Sequence, residues 1–235
     1  MAALISQEII TPPSPGDSII FLDSDILVIN KPSGLLSIQD GYDHSLPHLS
    51  TYFERSIGKI WIIHRLDKDT SGVMLLGRNA DSHRFFNEQF RIRAVSKVYH
   101  CLIIGQPEWN ETMVDLPLRI NADKLHRTRV DSETGKPASS RFKVLKRYPD
   151  YALVECEIFT GYTHQIRAHL FSQGLHIIGE SLYCSKSQRP NSKNTFGLNR
   201  LGLHAYSLSF SHPKTDRALT FIADYPSDIQ SLLTA

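Results

Sequence analysis

Short apolar runs separated by turn residues recur along most of this chain, and they constrain its fold more than any other feature. Ile19-Ile20-Phe21-Leu22 and Ile26-Leu27-Val28-Ile29 flank Asp23-Ser24-Asp25. Residues 142–147 and 151–160 flank Tyr148-Pro149-Asp150, and residues 203–210 and 218–223 flank a turn around His212-Pro213-Lys214-Thr215-Asp216. Each set has the β-branched and aromatic content of two strands joined by a tight connection. Two further runs, Ile60-Trp61-Ile62-Ile63 and Val73-Met74-Leu75-Leu76, enclose a polar loop of mixed charge, and residues 97–105 return as a strand. Helical signals are fewer. Asn79 or Asp81 can cap a helix carrying Phe85, Phe86 and Phe90, and residues 163–173 place Ile166 and Leu170 at helical spacing before a Gly174 stop. Hairpins with a few inserted helices predict an α+β fold on a largely antiparallel sheet, because a doubly wound fold would alternate strand and helix regularly.

Residues 1–17 contain Thr11-Pro12-Pro13-Ser14-Pro15-Gly16, which resists helix and ladder pairing. An extended arm is therefore expected before one domain spanning residues 18–235. With 235 residues, 41% of them hydrophobic, the chain can bury a substantial core. A formal charge of +2 is too small to announce a nucleic-acid partner, so the distribution of charge must carry that argument. Lys124, His126, Arg127 and Arg129, followed by Lys136 and Arg141, form a candidate basic edge. Cys101, Cys156 and Cys184 are odd in number and lack a C-x-x-C pair, which argues against a disulfide framework or a structural zinc. With no targeting segment and no long apolar run, a cytoplasmic protein without a membrane partner is expected.

The polar loop His64-Arg65-Leu66-Asp67-Lys68-Asp69-Thr70-Ser71-Gly72 admits several readings. Asp, Ser and Gly are ordinary residues of a solvated turn. A calcium loop would alternate ligands as Asp67, Asp69 and Ser71 do, but it needs a bidentate Glu where Arg78 stands. A magnesium-dependent aspartyl phosphatase would use a D-x-D-x-T/V loop, but Ser71 holds the fifth position and His64-Arg65 interrupts the strand expected before the nucleophile. The full string resembles the H-R-L-D-x-x-T-S-G signature of the RluA-type pseudouridine synthases. Asn30-Lys31-Pro32-Ser33-Gly34-Leu35 is similar to that family's N-K-P-x-G-L segment, and Ser96-Lys97-Val98-Tyr99 to its S-K-x-Y segment. Residues 161–170, from Gly161 to Leu170, resemble its G-R-T-H-Q-I-R-x-H-L block, and Leu203-His204-Ala205 with His212-Pro213 its closing elements. The blocks are co-linear from Ile19 to Pro226.

The resemblance implies the pseudouridine synthase fold, a large, mostly antiparallel twisted sheet with flanking helices and a central RNA-binding cleft. It also implies an isomerase that breaks the N1–C1′ bond of uridine, turns the uracil and joins C5 to C1′, with no cofactor and no metal. Asp67 is then the catalytic carboxylate, suited to stabilise positive charge at the sugar carbon or to act covalently. Arg167 is its expected partner, a planar fork able to hold a carboxylate bidentately, and Tyr99 is expected to stack on the uracil and assist proton transfer. Arg65, Lys31, His164 and Gln165 complete the set as substrate-binding residues, Arg65 filling the gap left by a flipped uridine. His64, Thr70 and Gly72 are expected to shape the loop. His164 and His169 lack a third ligand, which favours packing or RNA-backbone roles over metal binding. Tyr162 departs from the family pattern by standing where Arg is usual, which removes a phosphate contact. The expected partner is a tRNA stem-loop or ribosomal RNA, bound by a monomer, with recognition built into the catalytic domain. The alternative is an RNA-binding protein without turnover.

Overall fold

In a computed structural model the described residues are 15–184 and 195–234. The expected arm lies mostly outside them, and its end, Pro15–Ser18, is a 3-10 turn where extended chain was expected. The strands are β1 (Ile19–Leu22), β2 (Ile26–Lys31), β3 (Trp61–Ile62), β4 (Ser71–Gly77), β5 (Ser96–Ile104), β6 (Glu111–Val114), β7 (Leu118–Arg119), β8 (Arg129–Val130), β9 (Ser140–Arg147), β10 (Tyr151–Ile158), β11 (Leu203–Ser211) and β12 (Ala218–Ile222). The helices are α1 (Leu49–Glu54), α2 (Ala80–Arg91), α3 (Gln165–Ser172) and α4 (Ser227–Leu233).

The three hairpins expected from the apolar runs are β1–β2, β9–β10 and β11–β12. Local chemistry closes the first: Asp23 Oδ1 accepts the N–H groups of Asp25 and Ile26 at 2.7 and 2.8 Å, an Asx turn. One ten-stranded sheet runs β1-β2-β4-β11-β5-β10-β9-β6, with β3 beside β4 and β12 beside β11, while β7 and β8 pair separately. All seven residues of β4 are buried, as befits a central strand covered on both faces. Asn79 caps α2 by accepting Ser82 N–H at 2.9 Å. Fully buried Phe53 of α1 and Phe86 of α2 pack in one core cluster with β2 and β4. Removing a Phe of this kind from water contributes about 1.5–3 kcal/mol. A second cluster joins Leu170 of α3 to Phe142 of β9 and Val154 of β10. α4 closes the sheet, where Tyr151 donates its hydroxyl to Leu232 O at 2.8 Å.

Among the named strands of the described residues one pairing is parallel, β4 with β11, aligning Ser71 with His204 and Gly72 with Ala205. His204 Nε2 donates to Ala223 O at 3.1 Å, so its Nδ1 is left to accept the Ser71 hydroxyl at 2.9 Å. Gly72 has φ +118° there, and a Cβ would stand 2.6 Å from Ala205 N and overlap its carbonyl. This junction joins β1–β4 to β5–β10 immediately after the polar loop. Gly72→Ala is expected to cost about 3–5 kcal/mol of unfolding free energy in urea titrations, through strain plus backbone overlap. A loss below about 1 kcal/mol would show that the strands can slide apart freely.

Candidate active site

The polar loop between β3 and β4 is held from below by the segment that follows β2. Ser37 Oγ donates to Leu66 O at 2.7 Å and accepts Leu66 N–H at 3.0 Å. Gly34 N donates to Lys68 O at 2.8 Å, and Ser33 Oγ to Asp69 O at 2.9 Å. Lys31 is wholly buried, and its ammonium donates to the carbonyls of Pro32, Leu35 and Lys68 at 2.9, 2.8 and 3.2 Å. Three donors meet three acceptors, which corrects the expectation that Lys31 binds substrate: it supports the loop. His64 Nε2 accepts Leu75 N–H at 3.0 Å and its ring stacks on Phe90. That bond requires a neutral ring, in line with burial and the nearby Lys97 charge pushing His64 to about 3.

This support presents Asp67 to the start of α3. Asp67 Oδ2 lies 3.3 Å from Arg167 Nη1 and 3.6 Å from His164 Nε2. Arg167 does meet Asp67, but the bidentate fork expected for that pair goes elsewhere: its Nε and Nη2 donate to Glu180 at 2.7 and 2.6 Å. Glu180 is almost fully buried and also accepts the N–H groups of Leu182 and Tyr183. Burial alone would raise its carboxyl, but the bonds and charge of Arg167 with those two amides hold it below its ordinary value. The Arg167 guanidinium also rests 5.2 Å over the Tyr183 ring. Tyr183 accepts Thr128 N–H at 2.7 Å and reaches His164 Nδ1 at 3.2 Å. His164 adopts φ +57° to make this turn into α3, and burial outweighs the pull of Asp67 to lower its pKa.

Gln165 was expected to bind substrate, and the structure corrects this. Its Oε1 accepts from Thr160 Oγ1 and Tyr162 N, while its Nε2 donates to Ser139 O and Ser140 Oγ. All four of its hydrogen-bonding positions serve the protein. His169 is buried between Ser140 Oγ and Leu116 O, a packing role. Within the basic segment, Arg127 and Arg129 share Asp123, and Arg141 pairs with Glu157. Much of that edge is thereby neutralised.

A cavity of about 350 Å³ gathers Arg65, Asp67, Tyr99, Tyr162, His164 and Arg167. Tyr99 comes from the middle of β5, between Ala205 of β11 and Cys156 of β10. Burial and the Asp67 charge raise its pKa, so it is a phenol at neutral pH. Arg65 is exposed at the cavity. Lys97 donates to Thr160 O at 3.2 Å, and burial lowers it to about 8. Among the described residues, Asp23, Asp25 and His212 form the only grouping of metal-ligand types, and there Asp23 pairs with His212 and Asp25 with Lys214. Sequence reasoning missed Glu180, Tyr183 and Thr128. The one local signal was an isolated acid in the apolar run Ile177-Ile178-Gly179-Glu180.

The family model for RNA pseudouridylate synthase matches residues 25–172. The dual-specificity RNA pseudouridine synthase RluA of Vibrio vulnificus is 33% identical over 233 residues, covering 96% of this chain and 91% of that protein. The protein of the same name from Escherichia coli K12 is 34% identical over 218 residues, 92% of this chain and 96% of its own. The solved structure of human RNA Pseudouridylate Synthase Domain Containing 4 has a TM-score of 0.73 and 25% sequence identity, covering 93% of this chain and 92% of that one. Fold, cleft and relatives together define an RNA-modifying isomerase. The chain belongs to the RNA pseudouridine synthase family, of the RluA type, and its reaction is the conversion of uridine in RNA to pseudouridine. Membership replaces the calcium-loop and phosphatase readings of the Asp67 loop.

Two buried charges give stability predictions. Glu180→Gln keeps the shape but leaves the guanidinium without its main partner, and is expected to cost about 3–5 kcal/mol in chemical unfolding. Because the folded carboxyl is depressed, the wild-type advantage is full above about pH 4.5 and fades as pH falls through the folded value. Burial lowers Lys31 to about 7 despite Asp69 and Asp67. The unfolded chain then binds the proton more tightly, so stability rises with pH from about 7 to about 10, and Lys31→Met is expected to flatten that rise. Parallel pH–stability curves for the two proteins would contradict this.

Proposed function

We propose that Asp67, Tyr99 and Arg167 carry the isomerisation, on a uridine in a tRNA stem-loop or in ribosomal RNA. The observation that carries this reading is the contact of Asp67 Oδ2 with Arg167 Nη1 at 3.3 Å, in the same cavity as Tyr99. A single guanidinium contact aims the carboxylate while leaving its second oxygen free for the sugar carbon. As the N1–C1′ bond breaks, that oxygen stabilises the positive charge developing at C1′. Tyr99, held as a phenol, offers a ring for the released uracil to stack on and a hydroxyl to donate while the base turns. The net change moves one proton from C5 to N1, and no electron is gained or lost.

A uridine paired in a stem must leave its stack to enter a cavity of this size, at a cost of a few kcal/mol. Arg65, exposed beside Asp67, is placed to occupy the vacated stack or hold the displaced strand. His164 serves through Asp67, its Nε2 standing 3.6 Å from the same oxygen that meets Arg167. The name of the bacterial relatives, dual-specificity, supports more than one RNA target for this chain too. The site residues come from one continuous sheet, its loops and the helix α3 beside it, which supports residues 18–235 as a single catalytic unit, read here as a monomer. Three cysteines, Cys101, Cys156 and Cys184, none of them in a disulfide among the described residues, support a reducing, cytoplasmic setting.

Asp67→Asn is expected to abolish pseudouridine formation, by about a thousandfold or more, while the melting temperature stays close to that of the wild type. Pseudouridine mapping across total RNA from cells with and without the gene, complemented by wild type or Asp67→Asn, reads both the target and the role of the carboxylate. Full activity in the Asp67→Asn strain would end the assignment.

A further inference from the structure

A second cavity, of about 310 Å³, opens beside the first. Arg93, Asp115, Pro117, Pro137, Ser139 and Thr160 line it. Thr160 connects the two, because its carbonyl accepts the hydrogen bond of Lys97, which lines the active-site cavity. The volume matches the lower bound of small-ligand sites, about 300 Å³.

One of its residues is a costly choice if the cavity holds nothing, and a second is a charge without a partner among the described residues. Arg93 sits just past the end of α2 with φ +62°, where Ala94 N–H bonds Gln89 O at 2.9 Å and Arg93 N–H bonds Phe90 O at 3.2 Å. Such a helix end favours glycine, and any side chain there is strained. The helix dipole does not explain the arginine, since Arg91 already stands in the last turn. Arg93 is exposed and forms no ion pair with a described residue; its charge is felt instead by Lys97. Asp115 is likewise exposed and without an ion pair among the described residues. The cavity therefore offers an uncommitted cation and an uncommitted carboxylate between proline rings, next to the place where the uridine reacts.

We infer that this cavity is a second nucleotide subsite, which holds the RNA residue adjoining the target uridine, with Arg93 on its phosphate and Asp115 on its base. The inference rests on the first cavity being the uridine pocket. A carboxylate accepts from the exocyclic amino group of adenine, cytosine or guanine, whereas uracil offers it only N3–H, set between two carbonyl oxygens that repel it. The subsite thus selects against a second uridine beside the first. Proline faces and a guanidinium suit an unstacked base and its phosphate, as in single-stranded RNA recognition.

The test uses the full chain and a hairpin-RNA library whose loop is randomised around one uridine. Two readouts are sequenced: pseudouridine formed, and RNA retained on immobilised protein. Wild type is expected to disfavour uracil about tenfold at one position flanking the target, the lower end of the discrimination that base-edge contacts give. Asp115→Asn is expected to erase that discrimination at that position and leave preferences elsewhere in the loop. Arg93→Ala is expected to weaken retention severalfold for every loop sequence and to reduce the slope of log affinity against log salt by about one. Both positions are exposed, and unchanged melting temperatures confirm that folding is not the cause. Neighbour discrimination that is absent from wild type or unchanged in Asp115→Asn overturns the inference, as does an unchanged salt slope in Arg93→Ala. Wild type that retains RNA with the neighbour preference yet forms no pseudouridine would count against the reading of the first cavity and in favour of the subsite.

Discussion

Arg167 is shared by two carboxylates, and the rest of the site is arranged around that sharing. Glu180 takes the forked side of the guanidinium at 2.7 and 2.6 Å, so only Nη1 remains for Asp67, at 3.3 Å. A carboxylate gripped on both oxygens would be oriented but spent. One held at a single corner keeps its direction and its reactive lone pairs. Burial makes the arrangement self-consistent, since Glu180 compensates the arginine charge and Asp67 adds a further negative charge facing the cavity.

The sheet supplies the other half of this geometry. Asp67 lies on the approach to β4, Tyr99 in the middle of β5 and Arg167 on the first turn of α3, and β11 is the strand that brings β4 and β5 together. The parallel alignment of Gly72 with Ala205 fixes the height of the loop over the sheet, and the segment from Lys31 to Ser37 fixes its depth. Loop shape therefore comes from backbone contacts made by buried side chains, and the reactive groups are left with few partners of their own.

Features that depend on neighbours in the chain were legible in the sequence. The Asp23 turn, the Asn79 cap and the three hairpins follow from local chemistry, and so do the long apolar strands. The motif residues Asp67, Tyr99 and Arg167 meet in one cavity as the family resemblance implied. Direction was harder to read than proximity. Lys31 and Gln165 stand beside the site in sequence motifs, yet both spend their hydrogen bonds on protein backbone and neighbouring side chains. Glu180 left only a faint local trace, an acid closing a short apolar run, and its partner Arg167 lies outside that run. The β4–β11 pair was beyond any local pattern, and α1, β7 and β8 are too short for periodicity to show. Net charge on the 124–141 segment misled for a similar reason, as Asp123 stands immediately before it and engages both Arg127 and Arg129.

The β4–β11 junction has a consequence for how the molecule comes into being. Ser71 and His204 touch across 133 positions of chain, and Asp67 and Arg167 across 100. Such distant pairings pay their loop-closure entropy before they return any contact energy, so they belong to the late part of folding. During synthesis the β1–β2 hairpin and α2 can form as soon as they emerge, whereas the Asp67 loop waits for β11 before its height over the sheet is set. A nascent chain thus carries an unassembled site until β11 has emerged and paired with β4.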